Sequence, residues 1–304
     1  MPVRLSLRDF LLVVLVVIIW GFAFVPMRWA LAETPPLLLA CLRFACAALP
    51  AVFFVRRPAT GWATIVGYGF AIGVLQFGLL FTGMQLGMPA GLSSLVIQTQ
   101  VFFTIGLAAW WLHDRLDRAS LVGATVAGAG IALLAWYKLT AGATTTFTGF
   151  LLVIGAAASW AVGNVLAKRA AGRADVDMLG LVVWSSLVAP VPLAIASWAL
   201  EGGPRLVGVV RDMSWRPWAC VLFMSYFATL FSLARWNALL HRYPTAVIAP
   251  FALLIPVAGL ASGSLFLDER LSPVQYAGVG LVLAGLAWNV FGARARAWLA
   301  RMAD

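Results

Sequence analysis

His113-Asp114-Arg115-Leu116 and Asp268-Glu269-Arg270-Leu271 are two similar phrases that lie 155 residues apart in a chain of 304 residues. Each phrase follows one apolar stretch of membrane-spanning length and precedes another. The same offset relates three further pairs, Pro89 with Pro244, Gly123 with Gly278 and Gly130 with Gly285. An offset of 140 relates Trp20, Phe24 and Arg28 to Trp160, Asn164 and Lys168. The chain therefore contains a duplication, and duplicated membrane halves are typical of transporters.

The composition is that of a protein embedded in a lipid bilayer. Hydrophobic residues make up 63% of the chain and charged residues 11%, and the mean hydropathy is +0.96, whereas soluble domains are about 45–50% apolar and 25% charged. A spanning helix needs about 20 apolar residues, and segments that are apolar on all sides favour helices over a β-barrel. We predict an all-α integral membrane protein whose ten transmembrane helices lie at residues 10–32, 36–55, 62–84, 90–112, 119–137, 148–167, 178–200, 217–240, 245–267 and 273–292.

The basic residues predict the orientation of these helices. With a cytoplasmic N-terminus, thirteen Lys and Arg residues fall on the inner side and five on the outer side, and cytoplasmic loops contain such an excess. Each half has five spans, an odd number, so the second half enters the membrane from the opposite side. We predict two inverted five-helix repeats, residues 1–142 and 143–304, with both termini in the cytoplasm.

Two other classes of protein fit the sequence less well. Arg4, Arg8 and the apolar run up to Ala32 resemble a secretory signal peptide, but this run is longer than the usual ~7–15 residues and has a counterpart around Trp160. The net charge of +10 could indicate nucleic-acid binding, but the basic residues are scattered over the loops rather than clustered. We therefore expect a lipid bilayer around the protein and no nucleic-acid partner.

Glycines and prolines mark where helices pack closely or bend. Gly123 and Gly130 in the fifth span, like Gly278 and Gly285 in the tenth, are seven residues apart and share one helix face. Small residues let helix backbones approach closely, either between the halves or in a dimer. Three prolines also lie at the start and in the middle of the ninth span, and they predict bends that are either gating hinges or static kinks. They are Pro244, Pro250 and Pro256.

Enzymatic chemistry is not supported by the distribution of reactive residues. Both histidines lie in predicted loops, and no carboxylate lies inside a predicted span. We expect the acids and bases of the two phrases, such as Glu269 and Arg270, to pair at the span ends as topological anchors. An enzyme or metal site needs clustered ligands or a nucleophile beside a base, so we predict no catalytic residue, metal or cofactor. Without an acidic relay in the membrane, facilitated transport is favoured over proton-driven transport.

Neutral polar side chains inside the spans are the first candidates for a binding cavity, because polar groups are costly in lipid. Ser94, Gln98 and Phe102 lie on one helix stripe, whereas Gln100 points elsewhere and is expected to face another helix. Amides can also join helices, so lining and bridging both remain open for each residue. The other candidates are Gln76 in the third span, Asn164 in the sixth and Tyr226 in the eighth.

One cation and two indoles complete the candidate site. Arg43 lies about seven residues, or ~10 Å, inside the second span, too deep for a comfortable reach to the surface. It either attracts a substrate carboxylate or caps the carbonyl groups of a neighbouring helix. Trp20 and Trp160 are mid-span and equivalent in the repeat, so we expect them to meet near the centre, with Phe24 one turn from Trp20.

Several short motifs together resemble one known group of membrane proteins. They are Trp20-Gly21 with Phe24, Leu42-Arg43-Phe44, Gly87-Met88-Pro89-Ala90-Gly91-Leu92, Gln98-Thr99-Gln100, Phe102-Phe103-Thr104, Ser159-Trp160-Ala161 with Gly163-Asn164, and Leu267-Asp268-Glu269-Arg270-Leu271. The chain is similar over nearly its whole length to the drug/metabolite transporter superfamily, specifically its EamA-type ten-helix exporters. Ala23 stands where many members of this family have an asparagine. This difference implies that the first helix contributes a less polar wall to the cavity and favours bulkier, more apolar cargo.

The resemblance implies a bacterial inner-membrane exporter of amino acids and related metabolites, with a central cavity between the halves. Aromatic, cysteine or O-acetylserine-like and threonine-like amino acids are the expected cargo, moved by alternating access. An exporter of lipophilic cations is the main alternative, suggested by the many aromatics, although cation-π attraction alone is worth only roughly 0.5–2 kcal/mol. A non-transporting membrane scaffold is the third, and a monomer and a weak homodimer are both compatible with the sequence.

Overall fold

The computed structural model describes residues 5–113, 118–140, 144–171, 177–243 and 245–303. Throughout these ranges the regular elements are helices, and no strand occurs. The prediction of an all-α membrane protein with ten helices is confirmed. Asp114, Arg115, Leu116 and Pro244 lie outside the described residues, as does the predicted repeat boundary between residues 142 and 143, which stays a prediction.

The spans follow the predicted segments within a few residues at most ends. Within the described ranges, nine spans are long and apolar enough to cross a bilayer, and the fifth, Arg118–Thr140, has a shorter apolar core at Leu121–Tyr137. The nine are Leu7–Leu31, Pro36–Phe53, Trp62–Gln85, Ala90–Trp111, Phe147–Arg169, Met178–Leu200, Trp215–Trp236, Pro250–Leu267 and Pro273–Phe291. The last helix continues beyond its apolar part to Ala303.

The start of the first helix corrects one expectation. Ser6 is its N-cap, because the Ser6 hydroxyl oxygen accepts a hydrogen bond from the backbone N–H of Asp9 at 3.1 Å. The helix therefore begins at Leu7 rather than at residue 10. Asp9 lies inside it and is only 4% exposed, so the expectation that no carboxylate lies within a span is wrong at this position.

A short helix between the seventh and eighth spans was not predicted. Arg205–Asp212 forms two turns, with Leu206 buried and Val207 exposed. Its ends are charged and its middle is apolar, a pattern typical of a helix that lies in the membrane interface. With 8 residues, this helix is too short to be predicted as a membrane span.

The two halves deviate from α-helical geometry at equivalent places. The third span contains a π-helix at Gly69–Gln76 and the eighth one at Phe223–Phe231, and adding 155 to 69–76 gives 224–231. The fourth and ninth spans both contain a 3-10 segment, Ile97–Thr99 and Ala249–Leu253. His113 and Asp268, also 155 apart, are the two non-glycine residues with positive φ in the described chain, at 57° and 53°. The duplication is therefore visible in the backbone itself.

The fifth and tenth spans pack closely through the predicted glycine faces. A Cβ atom added at Gly123 would lie 2.7 Å from the carbonyl oxygen of Gly285, and one added at Gly130 would lie 2.7 Å from that of Gly278. Gly123 and Gly278 are repeat equivalents, as are Gly130 and Gly285, so the contact is reciprocal between antiparallel helices. Such an arrangement requires a local two-fold axis perpendicular to both helices. The glycine partner is thus the other half of the same chain.

Candidate functional site

The eighth span changes its hydrogen-bond pattern where two predicted site residues reach it. Its segment Phe223–Phe231 is a π-helix, a rare form that is frequent at functional sites. The indole N–H of Trp20 donates to the carbonyl oxygen of Ala228 at 2.8 Å. The Nη2 atom of Arg43 donates to the Oγ1 atom of Thr229 at 3.0 Å. The first and second spans therefore bring an indole and a guanidinium to consecutive residues of one helix.

Arg43 is a buried cation with few partners. The residue is 5% exposed, and its Nε and Nη1 atoms are buried without a hydrogen-bond partner. The Cζ atom lies 3.7 Å from the ring centroid of Phe77 and 5.3 Å from that of Phe44. Within the described ranges, Asp9 forms an ion pair with Arg242, and no carboxylate pairs with Arg43. The guanidinium is held by one hydroxyl and two aromatic rings.

The backbone around Arg43 is fixed by the same helix. The hydroxyl of Ser225 donates both to the carbonyl oxygen of Arg43 and to that of Val221, each at 2.8 Å. Thr229 in turn donates to the carbonyl oxygen of Met224 at 2.9 Å, a step of five residues that matches the π-helical register. The second and eighth spans are thus joined both at the backbone and at the side chain of Arg43.

The two equivalent tryptophans have different surroundings. Trp20 has Trp236 as its ring partner, with centroids 5.2 Å apart. Trp160 packs against the same hydrophobic core as Trp20, and so does Phe102. Phe24 is a buried member of that core. A direct meeting of Trp20 with Trp160 stays a prediction.

Two of the predicted polar residues make hydrogen bonds that join or stabilise helices. The Nδ2 atom of Asn164 donates to Gln100 Oε1 at 2.6 Å and to Thr104 Oγ1 at 3.1 Å, so Gln100 faces the sixth span as expected. Ser94 donates to the carbonyl oxygen of Gly91 at 2.6 Å within its own helix, and it is fully buried. These contacts are typical of packing between membrane helices.

The remaining three polar residues are less completely bonded. Gln98 is 6% exposed, and its Nε2 atom lies 3.4 Å from the carbonyl oxygen of Ala252. Tyr226 donates to the carbonyl oxygen of Leu49 at 3.4 Å. Gln76 ends the π-helix of the third span, and its Oε1 atom is buried without a partner. An unpaired buried carbonyl group is costly, which favours Gln76 as a group that a bound molecule would satisfy.

Besides Ser225, three partners of these residues were not predicted from the sequence. Thr229 follows Ala228 in the eighth span, Phe77 is one of nineteen phenylalanines, and Trp236 is one of fourteen tryptophans. Thr229 alone had a usable signal, because it is a polar residue near the middle of a span. The contacts of the other two depend on how the third and first spans pack against the second and eighth.

A carboxylate joins the two halves at one end of the bundle. The Oε1 and Oε2 atoms of Glu269 accept hydrogen bonds from the backbone N–H groups of Ala90 and Gly91 at 2.6 and 2.8 Å. Glu269 therefore caps the start of the fourth span instead of pairing with Arg270, which corrects our expectation. Two glycines leave room for this carboxylate. A Cβ atom added at Gly91 would lie 2.9 Å from the Oε2 atom of Glu269, and one added at Gly263 would lie 2.5 Å from the same atom.

Two more carboxylates make contacts between the halves. At the Glu269 end, Glu201 accepts from the N–H groups of Leu37 and Leu38 at 2.7 and 3.1 Å and caps the second span. At the opposite end, Asp9 pairs with Arg242 at 3.0 Å and accepts from the hydroxyl of Tyr243 at 2.7 Å. Negative groups at helix N-termini are stabilised by the backbone N–H groups and the helix dipole. Acidic side chains thus connect the halves at both ends of the bundle.

Comparison with known proteins identifies the family. The model of the EamA-like transporter family matches the chain twice, over residues 8–136 and 147–291. The chain belongs to the EamA-like transporter family. Its two matched segments each contain five of the ten membrane helices, so this transporter contains the family's unit in two copies.

Two bacterial relatives of this EamA-like transporter match nearly the whole chain. A Salmonella typhimurium protein named "probable amino-acid metabolite efflux pump" is 41% identical over 293 residues, covering 96% of this chain and 98% of that protein. An Escherichia coli strain K12 protein of the same name is 40% identical with the same coverage. A solved crystal structure aligns with a TM-score of 0.61 at 19% identity, covering 94% of this chain and 98% of that chain, which shows a shared fold.

Proposed function

We propose that this chain is a bacterial inner-membrane exporter of amino acids and related metabolites that works by alternating access. The names of the two bacterial relatives support this cargo class. Aromatic, sulfur-containing and threonine-like amino acids are the proposed substrates. The protein binds and releases them unchanged, without catalytic residues or cofactors, and moves them down their gradient.

One observation supports a binding site in the middle of the bundle. Trp20 and Arg43 converge on the π-helix of the eighth span, where the guanidinium retains unpaired donors. This arrangement offers an indole wall and a positive charge to the same molecule, and helix irregularities in transporters occur where they line a cavity. The proposed lining comprises Trp20, Phe24, Arg43, Gln76, Gln98, Phe102, Trp160 and Tyr226. Ser94 and Asn164 are assigned to helix packing.

The three carboxylate contacts between the halves support alternating access. Contacts that join the halves at opposite ends must open in turn if the central site is to face each side of the membrane. The excess of basic residues orients both termini toward the cytoplasm, which makes the Glu269 end the outer one and the Asp9 end the inner one. The glycine contact between the fifth and tenth spans is made within one chain, which favours a monomer as the transporting unit.

Counterflow in liposomes tests this proposal. Purified protein is reconstituted into vesicles preloaded with an unlabelled amino acid, and uptake of the labelled compound is measured at clamped pH. The panel contains phenylalanine, cysteine, O-acetylserine and threonine, with protein-free vesicles as the control. Counterflow of at least one compound without a pH gradient is expected. No counterflow of any of them would refute the cargo class, and transport of a lipophilic cationic dye instead would favour multidrug export.

A further inference from the structure

Among the described residues, the charge of Arg43 is not paired with a carboxylate. The residue is 95% buried, since only 5% of it is exposed, and burying a charge without a partner is strongly unfavourable. The other carboxylates described above are engaged elsewhere, Asp9 with Arg242 and Glu201 and Glu269 with helix N-termini. No carboxylate of the described residues compensates this cation, so an anion from outside the protein would gain a strong interaction there.

The contacts of the guanidinium leave defined donors for such an anion. Nη2 bonds to Thr229 and the ring of Phe77 covers the guanidinium 3.7 Å from Cζ, whereas Nε and Nη1 remain without a partner. Arg43 donates to no helix carbonyl among the described residues, so the alternative role of capping a neighbouring helix is not realised. Arginine binds carboxylates through charge-assisted hydrogen bonds, and the aromatic ring fixes the plane of the guanidinium.

We infer that Arg43, held by Thr229 and Phe77, binds the carboxylate of the transported molecule, so that cargo must contain a carboxylate to be recognised. This inference rests on the proposed export function and specifies its substrate class. Trp20 meets Ala228, the residue before Thr229, which places an apolar surface beside the charge. Molecules with a carboxylate next to an apolar or aromatic group match both features. Lipophilic cations are repelled by the same guanidinium.

A comparison of acids with their amides tests this role. Counterflow of labelled phenylalanine, cysteine and threonine is competed with the unlabelled amino acid or with its carboxamide, which lacks the negative charge. For the wild-type protein, we expect the carboxamide to compete at least about tenfold more weakly, since a hydrogen bond to a charged group corresponds to about that factor. For Arg43→Gln, we expect the acid and the amide to compete within about twofold of each other.

Matched variants separate this role from a general effect on the protein. Arg235→Gln removes an exposed arginine of the same eighth span and should keep the wild-type preference for the acid. If Arg43→Gln does not fold, Thr229→Val removes the hydroxyl that holds Nη2 and should reduce the preference at least about threefold, while Thr229→Ser should restore it. A preference that survives in Arg43→Gln, or in Thr229→Val when that variant is the one measured, overturns the inference.

A binding measurement separates failure of this inference from failure of the proposed function. The melting temperature of the detergent-purified protein is measured with each amino acid and each carboxamide, because a ligand that binds the native state stabilises it. The carboxylate site is supported if the acids but not the carboxamides stabilise the wild type and if this stabilisation is lost in Arg43→Gln. This result would support the site even if the vesicles transport none of the amino acids. Equal stabilisation by acid and amide in the wild type would overturn it, whether or not the vesicles transport either compound.

Discussion

Replacement of Glu269 by glutamine should open the Glu269 end of the bundle. The carboxylate accepts hydrogen bonds from the backbone N–H groups of Ala90 and Gly91 at 2.6 and 2.8 Å. It thereby connects the end of the ninth span with the start of the fourth. Glutamine has nearly the same shape but no charge, and only one of its two terminal groups can accept a hydrogen bond. One N–H of the fourth span would then face an NH₂ group.

The size of the effect follows from these two bonds. A hydrogen bond to a charged group contributes about 1.5–3 kcal/mol, and a buried donor left without a partner costs about 1–3 kcal/mol. We take about 2–3 kcal/mol as the loss for Glu269→Gln, because one neutral hydrogen bond remains. If this contact exists only when that end is closed, the closed-to-open equilibrium shifts by about 30- to 150-fold.

Distances between spin labels measure this shift. Labels at Gln85 in the first half and Arg270 in the second are both at the Glu269 end and exposed, in a background with the three native cysteines replaced by alanine. Glu269→Gln should move the distance distribution toward longer values. Asp268→Asn makes the same chemical change one residue earlier, at an exposed position, and should leave the distribution unchanged. Identical distributions for the two variants would refute the role assigned to Glu269.

Three further predictions concern packing and the site. Gly130→Ala should lower the melting temperature in detergent, because its Cβ would lie 2.7 Å from the carbonyl oxygen of Gly278 and such overpacking costs about 1–3 kcal/mol. Gly128→Ala is the control and should leave the melting temperature unchanged, because nothing lies within 4 Å of a Cβ atom added there. Trp20→Phe removes the bond to Ala228 and should slow counterflow about fivefold in a protein that still folds, with exposed Trp136→Phe as the neutral comparison. Gln98→Leu should slow counterflow several-fold in a protein that still folds, and an unchanged rate would remove Gln98 from the proposed lining.

The sequence predicts the architecture well because membrane insertion imposes simple rules. Apolar runs of spanning length identified the helices, and the glycine spacing predicted the close contact that Gly123 and Gly130 make. Both signals are local or periodic, and lipid leaves few alternatives to a helix for an apolar segment.

The finer geometry of the site could not be read from the sequence in the same way. A π-helix forms when neighbouring helices stabilise a shifted hydrogen-bond register, so the segment Gly69–Gln76 looks like any apolar helix in the sequence. This segment also packs closely on the seventh span, since a Cβ atom added at Gly73 would lie 2.5 Å from that of Ala189. Glu269 was predicted to lie at a helix end, but its partners lie in another span, 179 and 178 residues away.

The reciprocal glycine contact has a consequence for how such a chain can evolve. When a gene for one half is duplicated, every substitution in the ancestral helix appears on both sides of this contact, so a larger side chain would add its volume twice. The present sequence has glycine at all four positions of this contact, Gly123, Gly130, Gly278 and Gly285. Arg43 has no such restriction, because its equivalent is near Val183 or Trp184. A duplicated chain can therefore keep a symmetric frame while one copy alone acquires a buried charge such as that of Arg43.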